Sequence, residues 1–343
     1  MIYNKMYRTA DSKSASVNVC GEIMKELICI LMLAAGAAVA QGQPNAQSSQ
    51  LAVAEPSGTQ AEKLHTRELL WQKMVVEVTA TERNFQGVMG LVIRDLADGH
   101  ELRINADDVF PAASSIKVPV LVELYRQSQG GNGARLTDVY TVQKQDIVGS
   151  SAVMENLTPG VSRVTNGDLA GFVVAVSDNA AANVLIDRVG QENVNRMLDT
   201  LGLHKTRLRR KMMDTRAAQE GRENTSTPSE EAALLELVYR EKILNHSLTQ
   251  QFFHLLSTEK ASYLPRLLPE DLEIANKPGS LAGVRNDSGI VLLKHHPFVI
   301  SVMTTYARDG VTAEDAISSI VLQAYKYFEA VENASDLGRN MTP

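Results

Sequence analysis

Cysteine is scarce in this 343-residue chain: there are two, Cys20 and Cys29, and both precede Gln41. If the segment ahead of Gln41 is removed, what remains has no disulfide, no thiolate metal ligand and no cysteine nucleophile. A Gly-x-Ser-x-Gly turn is missing too, which removes the nucleophile-elbow hydrolases. The histidines lack the His-x-x-x-His spacing of a helical zinc site. His295-His296 lies between two strand-like runs without carboxylate company and reads as a surface turn, so no metal is expected. Charge of one sign is not in excess: the formal charge is −6, a mild acidity that gives no footing for nucleic acid or for an anionic membrane surface. No internal repeat is evident, and the longest apolar run is too short to span a bilayer comfortably.

That run, residues 27–39, follows Met24-Lys25-Glu26 and ends in Ala38-Val39-Ala40 before Gln41, the small-x-small pattern of a secretory cleavage site. It predicts translation from Met24, cleavage after Ala40, and a periplasmic or secreted protein without a stable membrane anchor. Residues 1–40 are then a signal region. Residues 41–60, rich in Gln, Ser, Ala and Pro, read as a disordered linker.

What the chain does contain is Phe110-Pro111-Ala112-Ala113-Ser114-Ser115-Ile116-Lys117-Val118-Pro119, followed by further apolar residues to Leu124. On a helix, a serine and a lysine three residues apart lie one above the other. Near the first turn, Ser114 has outward-pointing backbone N–H groups around it that favour developing negative charge. A hydroxyl is a weak nucleophile until a base takes its proton, and a partly desolvated lysine such as Lys117 can do so. Pro119 is tolerated only early in the helix. Ser115 has Val118, not a base, three residues on. Ser257-Thr258-Glu259-Lys260 repeats the pattern with polar flanks and no apolar helix to bury the lysine stem, so Ser257 reads as a cap or turn residue. Alone, so short a motif is weak evidence.

Two more motifs follow in order: Ser177-Asp178-Asn179 after an apolar segment, and Lys277-Pro278-Gly279 before a strand-like run. Ser-x-x-Lys, Ser-Asp-Asn and Lys-Thr-Gly together mark class A β-lactamases and penicillin-binding proteins. From about residue 62 onward the chain resembles a class A β-lactamase-like serine hydrolase, with the third motif altered. The flanking Ala180-Ala181-Ala182-Asn183 and residues 280–289 share the likeness. The resemblance implies that Ser114 attacks the substrate carbonyl and that Lys117 helps to move the proton. Ser177 would relay a proton to the leaving nitrogen, and Lys277 would add positive charge beside it. Asn179, Gly279, Ser280 and Arg285 would contact substrate, Asn183 would fix local structure, and the oxyanion would sit between the N–H groups of Ser114 and Ser280. It implies a small-molecule substrate, a β-lactam or a D-Ala-D-Ala-like peptide, no cofactor, and a monomer.

Two departures from the family matter. Pro278 stands where a hydroxyl residue is usual. The Glu-x-x-Leu-Asn pattern that supplies the deacylating base in class A enzymes is missing from residues 209–224. Asp214, Glu220 and Glu223 are the available carboxylates there, although each also reads as a solvated loop residue. Three functions stay open: a β-lactam hydrolase acting through an acyl-enzyme on Ser114, a D-alanyl-D-alanine peptidase or related amide or ester hydrolase, and a β-lactam-binding protein that deacylates slowly.

Periodicity predicts an amphipathic helix over 61–84 with Trp71 on or beside its buried face, strands over 87–94 and 101–105 joined at Ala97-Asp98-Gly99, and a mainly helical stretch over 114–256. A helix over 228–243 should start with Thr227 as cap, Pro228 first, and Glu230 closing a capping box, with Glu231 a second acid favoured by the helix dipole. Strands over 274–277, 289–294 and 298–304, a turn at Asp309-Gly310 and a closing helix over 313–331 follow. The predicted class is α+β: an antiparallel sheet flanked by terminal helices, with an inserted all-α domain and the active site in the cleft between them. The catalytic domain is 61–343, with sheet part 61–108 and 272–343 and α part 109–271.

Overall fold

The computed structural model describes residues 58–335 and 338–341. The expected signal region and the linker up to residue 57 lie outside the described residues. The described residues open on helix α1 (Gly58–Asn84) and a hairpin of β1 (Val88–Asp95) and β2 (Glu101–Ile104). The hairpin turn takes Gly99 to φ 83°, a backbone that glycine adopts without a Cβ penalty. Strand β3 (Phe110–Pro111) runs into a 3-10 turn, Ala113–Ile116, which feeds α2 (Lys117–Gly130). Next come β4 (Val139–Thr141), β5 (Arg163–Thr165), α3 (Asn166–Ala175), α4 (Asn179–Val189) and α5 (Gln191–Thr200). They are followed by α6 (Thr215–Gln219), β6 (Thr225–Ser226), α7 (Pro228–Tyr239) and α8 (His246–Leu256). The chain returns through β7 (Ile274–Leu281), β8 (Val284–Val291) and β9 (Phe298–Thr305), and closes on α9 (Gly310–Glu332).

The long strands form one antiparallel sheet in the order β2-β1-β9-β8-β7. Alternation along each strand splits the interior into two cores. Met89, Leu91, Ile93, Phe298, Ile300 and Val302 pack with Trp71 of α1 and Phe328 of α9. Val92, Val299 and Ile290 point the other way, into the core of the inserted part. Burying each such side chain contributes about 1.5–3 kcal/mol. Trp71 is buried, as its place in the pattern predicts, and its ring stacks on His100 at 4.3 Å.

Helix α2 is buried on every side from Lys117 to Tyr125, which fits its near-continuous apolar sequence. The inserted part is helical apart from two short ladders, β4 with β5 and β3 with β6. Helices α3, α4, α7 and α8 start on side-chain caps: Thr165, Asp178, Thr227 and Asn245 each accept a backbone N–H from the first turn.

Several local expectations change. Helix α7 ends at Tyr239, not 243, because Glu241 takes a left-handed φ of 57° that stops the helix. Its capping box is half made: Thr227 Oγ1 accepts from Glu230 N at 3.1 Å, but the Glu230 carboxylate accepts from Lys205 N at 2.9 Å instead of turning back. Strands β7 and β8 run on through Pro278 and Arg285 to a tight turn at Ala282-Gly283. Proline normally argues against a strand interior, but β7 is the sheet edge, where a missing N–H is tolerated. His295-His296 is more than a surface turn: both backbone N–H groups donate to Glu332, and His296 Nδ1 lies 3.0 Å from Asp95 Oδ2. Among the described residues, no helix is long and apolar enough to cross a membrane.

Candidate active site

The 3-10 turn that carries Ser114 is held on three sides. Its entry, Ala112, donates its N–H to Asn224 O at 2.9 Å, and Ala112 O accepts from Ser115 N and from Asn286 Nδ2, both at 3.1 Å. Ala113 takes a left-handed φ of 50°, a strained conformation for alanine that the surrounding bonds must hold. The third side is β7. A Cβ on Gly279 would lie 2.9 Å from Ser114 N, 3.0 Å from Ser115 N and 3.1 Å from Ala112 O, so only glycine lets the strand pass this close.

Helix α2 then buries Lys117 completely. Its Nζ donates to Ser177 O at 2.6 Å, to Ser177 Oγ at 3.0 Å and to Asn179 Oδ1 at 2.8 Å. From β7, the buried Lys277 sends its Nζ to the same Ser177 Oγ at 3.1 Å and to Pro278 O at 2.8 Å. One hydroxyl thus sits between two amines. Ser177 is itself strained, at φ 56°, and Asp178 fixes it by capping α4 and accepting from Val153 N and Met154 N at 3.0 Å. Asn179 Nδ2 donates to Gly149 O at 3.1 Å.

Burial disfavours charge on both amines. Burial, with the like charge of Lys277 adding to it, holds Lys117 well below its ordinary 10.5, against a weaker pull from Asp178. Burial lowers Lys277 to about 7, with Asp287 opposing and Lys260 assisting. Asp287 is pushed up to about 6 by burial, although it accepts from Asn276 Nδ2 at 2.8 Å and from Tyr263 N at 2.8 Å. At neutral pH such a pair can supply an amine free to take a proton beside a group able to give one.

The structure therefore brings together Ser114, Lys117, Ser177, Asn179, Lys277 and Gly279 around the free edge of β7, where Ser280 is exposed. Ser114 Oγ makes no hydrogen bond to Lys117; the amine's bonds go to Ser177 and Asn179. Arg285 is committed elsewhere: its guanidinium pairs with Glu314 at 2.8 Å and donates to Leu281 O and Val284 O. The three loop carboxylates also stay apart from the cluster. Asp214 caps α6 through Ala217 N at 2.9 Å, Glu220 pairs with Arg216 and Arg222, and Glu223 pairs with Arg210 at 2.7 Å.

Asn183 clasps the backbone of Met212 at 2.7 and 3.1 Å, so the loop segment fastened to α4 carries a buried thioether at that point. Two residues escaped the sequence reading. Lys260 is half-buried; it donates to Leu256 O at 2.7 Å and Asn276 Oδ1 at 3.2 Å, and burial lowers it to about 8. Glu231, expected as an acid serving the helix dipole, turns inward to Ser115 and Ser288. The available signal was its place directly before Ala232-Ala233-Leu234-Leu235, on the buried side of α7. Among the described residues, no group of three or more His, Cys, Asp or Glu side chains is placed to hold a metal ion.

The chain is similar to known proteins. Residues 73–328 match the Beta-lactamase enzyme family. A beta-lactamase of Streptomyces lavendulae is 29% identical over 302 residues, spanning 84% of this chain and 92% of the relative. The crystal structure of a beta-lactamase from Sphaerobacter thermophilus superposes with a TM-score of 0.69 at 30% identity, over 76% of this chain and 98% of that one. A PBP-A variant solved as an acyl-enzyme complex with penicillin G gives a TM-score of 0.67 at 25% identity, over 76% of this chain and 97% of that one.

Proposed function

Because the chain belongs to the beta-lactamase enzyme family, we propose that it opens β-lactam amides through an acyl-enzyme on Ser114 and hydrolyses that intermediate slowly. The observation that carries the reading is Ser177 Oγ held between Lys117 Nζ at 3.0 Å and Lys277 Nζ at 3.1 Å. Kept neutral by burial, Lys117 has two hydrogens, for Ser177 O and Asn179 Oδ1, and its lone pair takes the proton as Ser114 Oγ bonds to the lactam carbonyl carbon. Only the resulting ammonium can also donate to Ser177 Oγ. The oxyanion lies between the N–H groups of Ser114 and Ser280, each typically worth about 3–4 kcal/mol of barrier. As the C–N bond breaks, Ser177 gives its proton to the leaving nitrogen and recovers one from Lys117, so the amine ends as it began. Lys277 supplies positive charge for Ser177 and for a substrate carboxylate. Asn179 keeps one N–H and one lone pair free for a substrate amide.

Hydrolysis of the acyl-enzyme needs a water deprotonated at the ester carbonyl, and a placed general base contributes about 10²–10⁴-fold. The Met212 clasp and the outward pairing of Asp214, Glu220 and Glu223 support a slow second step. The small-x-small pattern before Gln41 supports export, with action in the periplasm or the medium. Steady-state assays with nitrocefin and with a D-Ala-D-Ala peptide test the reading. Nitrocefin turnover is expected. Release of D-alanine without any β-lactam turnover would place the chain among the peptidases.

A further inference from the structure

Glu231 reaches across from α7 to the turn that carries Ser114. Its Oε1 is hydrogen-bonded to Ser115 Oγ and its Oε2 to Ser288 Oγ. Ser115 Oγ also lies 2.7 Å from Ala112 O, and Ser288 Oγ lies 2.8 Å from Ser301 Oγ. The hydrogens can be counted. Ser115 has one, and a carbonyl oxygen can only accept, so the 2.7 Å contact uses it. The contact from Ser115 to Glu231 then needs its hydrogen from the carboxyl group. On the other oxygen, Ser288 donates. A carboxylic acid satisfies the whole chain from Ala112 O to Ser288; a carboxylate leaves Ser115 facing it with a lone pair.

We infer that Glu231 is a positioning residue of the acylation site: as a neutral acid it donates to Ser115 and accepts from Ser288, tying the strained Ala113-Ser114 turn to the sheet. The inference rests on the reading of Ser114 as nucleophile. The surroundings agree. Burial pushes the Glu231 carboxyl up to about 7, Asp287 on β8 pushes the same way, and the hydroxyls of Ser115, Ser288 and Ser226 pull against them. Glu230, its neighbour on α7, is taken up by Lys205 N and Thr206 N. Among the described residues, no lysine or arginine forms an ion pair with Glu231 to hold it ionised.

Glutamine keeps a donor and an acceptor at this position without a titrating proton, and alanine keeps neither. The experiment compares wild type, Glu231→Gln and Glu231→Ala for the rate of labelling by a fluorescent penicillin, and for Tm, from about pH 5 to about pH 9. Alanine should slow labelling about tenfold, and glutamine should recover most of that loss. The ratio of the glutamine variant's rate to wild type should rise as pH passes about 7, where wild type loses its proton. Tm does not depend on the chemistry at Ser114. A carboxyl held above its ordinary 4.5 stabilises the fold while protonated, so wild type should lose Tm relative to glutamine as pH climbs through about 7. A rate ratio and a Tm difference that are both flat across this range would overturn the inference, whether or not the alanine variant folds. Failure of the Ser114 reading has a separate signature, labelling that persists in Ser114→Ala.

Discussion

Asn183 holds Met212 by both ends of its side-chain amide, accepting from Met212 N at 2.7 Å and donating to Met212 O at 3.1 Å. The clasp ties the loop after α5 to helix α4, whose start carries Asn179. It fixes the backbone at a point where the side chain is a buried thioether. The proposed acylation would draw on the two amines that meet at Ser177 Oγ. Among the described residues, no carboxylate is hydrogen-bonded to Lys117 Nζ, Lys277 Nζ or Ser177 Oγ to serve the water-dependent step.

A glutamate at the clasped position should shorten the life of the acyl-enzyme. Met212→Glu is expected to speed loss of a penicillin adduct by at least about a hundredfold, the low end of what a general base supplies. The check is the time course of adduct mass after excess penicillin is removed. An unchanged lifetime would mean that position 212 does not address the acyl carbonyl.

Acylation should have an acid limb, because Lys117 accepts a proton only when neutral. The ammonium of Lys277 helps to keep Lys117 low. Its removal in Lys277→Ala should therefore raise the Lys117 pKa and move the limb to higher pH, beyond any loss of rate. Labelling rate against pH in the two proteins measures this. A limb that stays in place would show that Lys117 does not set it.

Gly279→Ala places a methyl group against three backbone atoms of the nucleophile turn, the nearest at 2.9 Å. Backbone cannot swing aside as a side-chain tip can, and overpacking of this kind costs about 1–3 kcal/mol. Tm should fall, and labelling should slow by more than the loss of folded protein explains. Wild-type labelling in a folded variant would contradict the close approach of β7 to the turn.

The residues that mark this site were legible because the chemistry constrains residue type at short spacing: Ser114 to Lys117, and Ser177 to Asn179. Helix α2 was legible from its apolar run, and Thr227 from the proline after it. What stayed hidden depends on partners far away in sequence. Arg285 reads as a substrate contact until α9 brings Glu314 beside it. Lys260 reads as solvated until Asn276 on β7 meets it, and Glu231 reads as a dipole acid until β8 supplies Ser288. Pro278 broke the strand pattern on paper, and only the order of the sheet shows that β7 is an edge.

A covalent intermediate on Ser114 should form faster than it breaks down. Intact mass spectrometry of protein quenched seconds after mixing with penicillin G, followed by peptide mapping, addresses it directly. A single penicilloyl adduct is expected on the peptide containing Ser114, persisting after excess substrate is removed and absent in Ser114→Ala. Consumption of the penicillin with the protein found unmodified throughout, or an adduct on Ser257 instead, would contradict it.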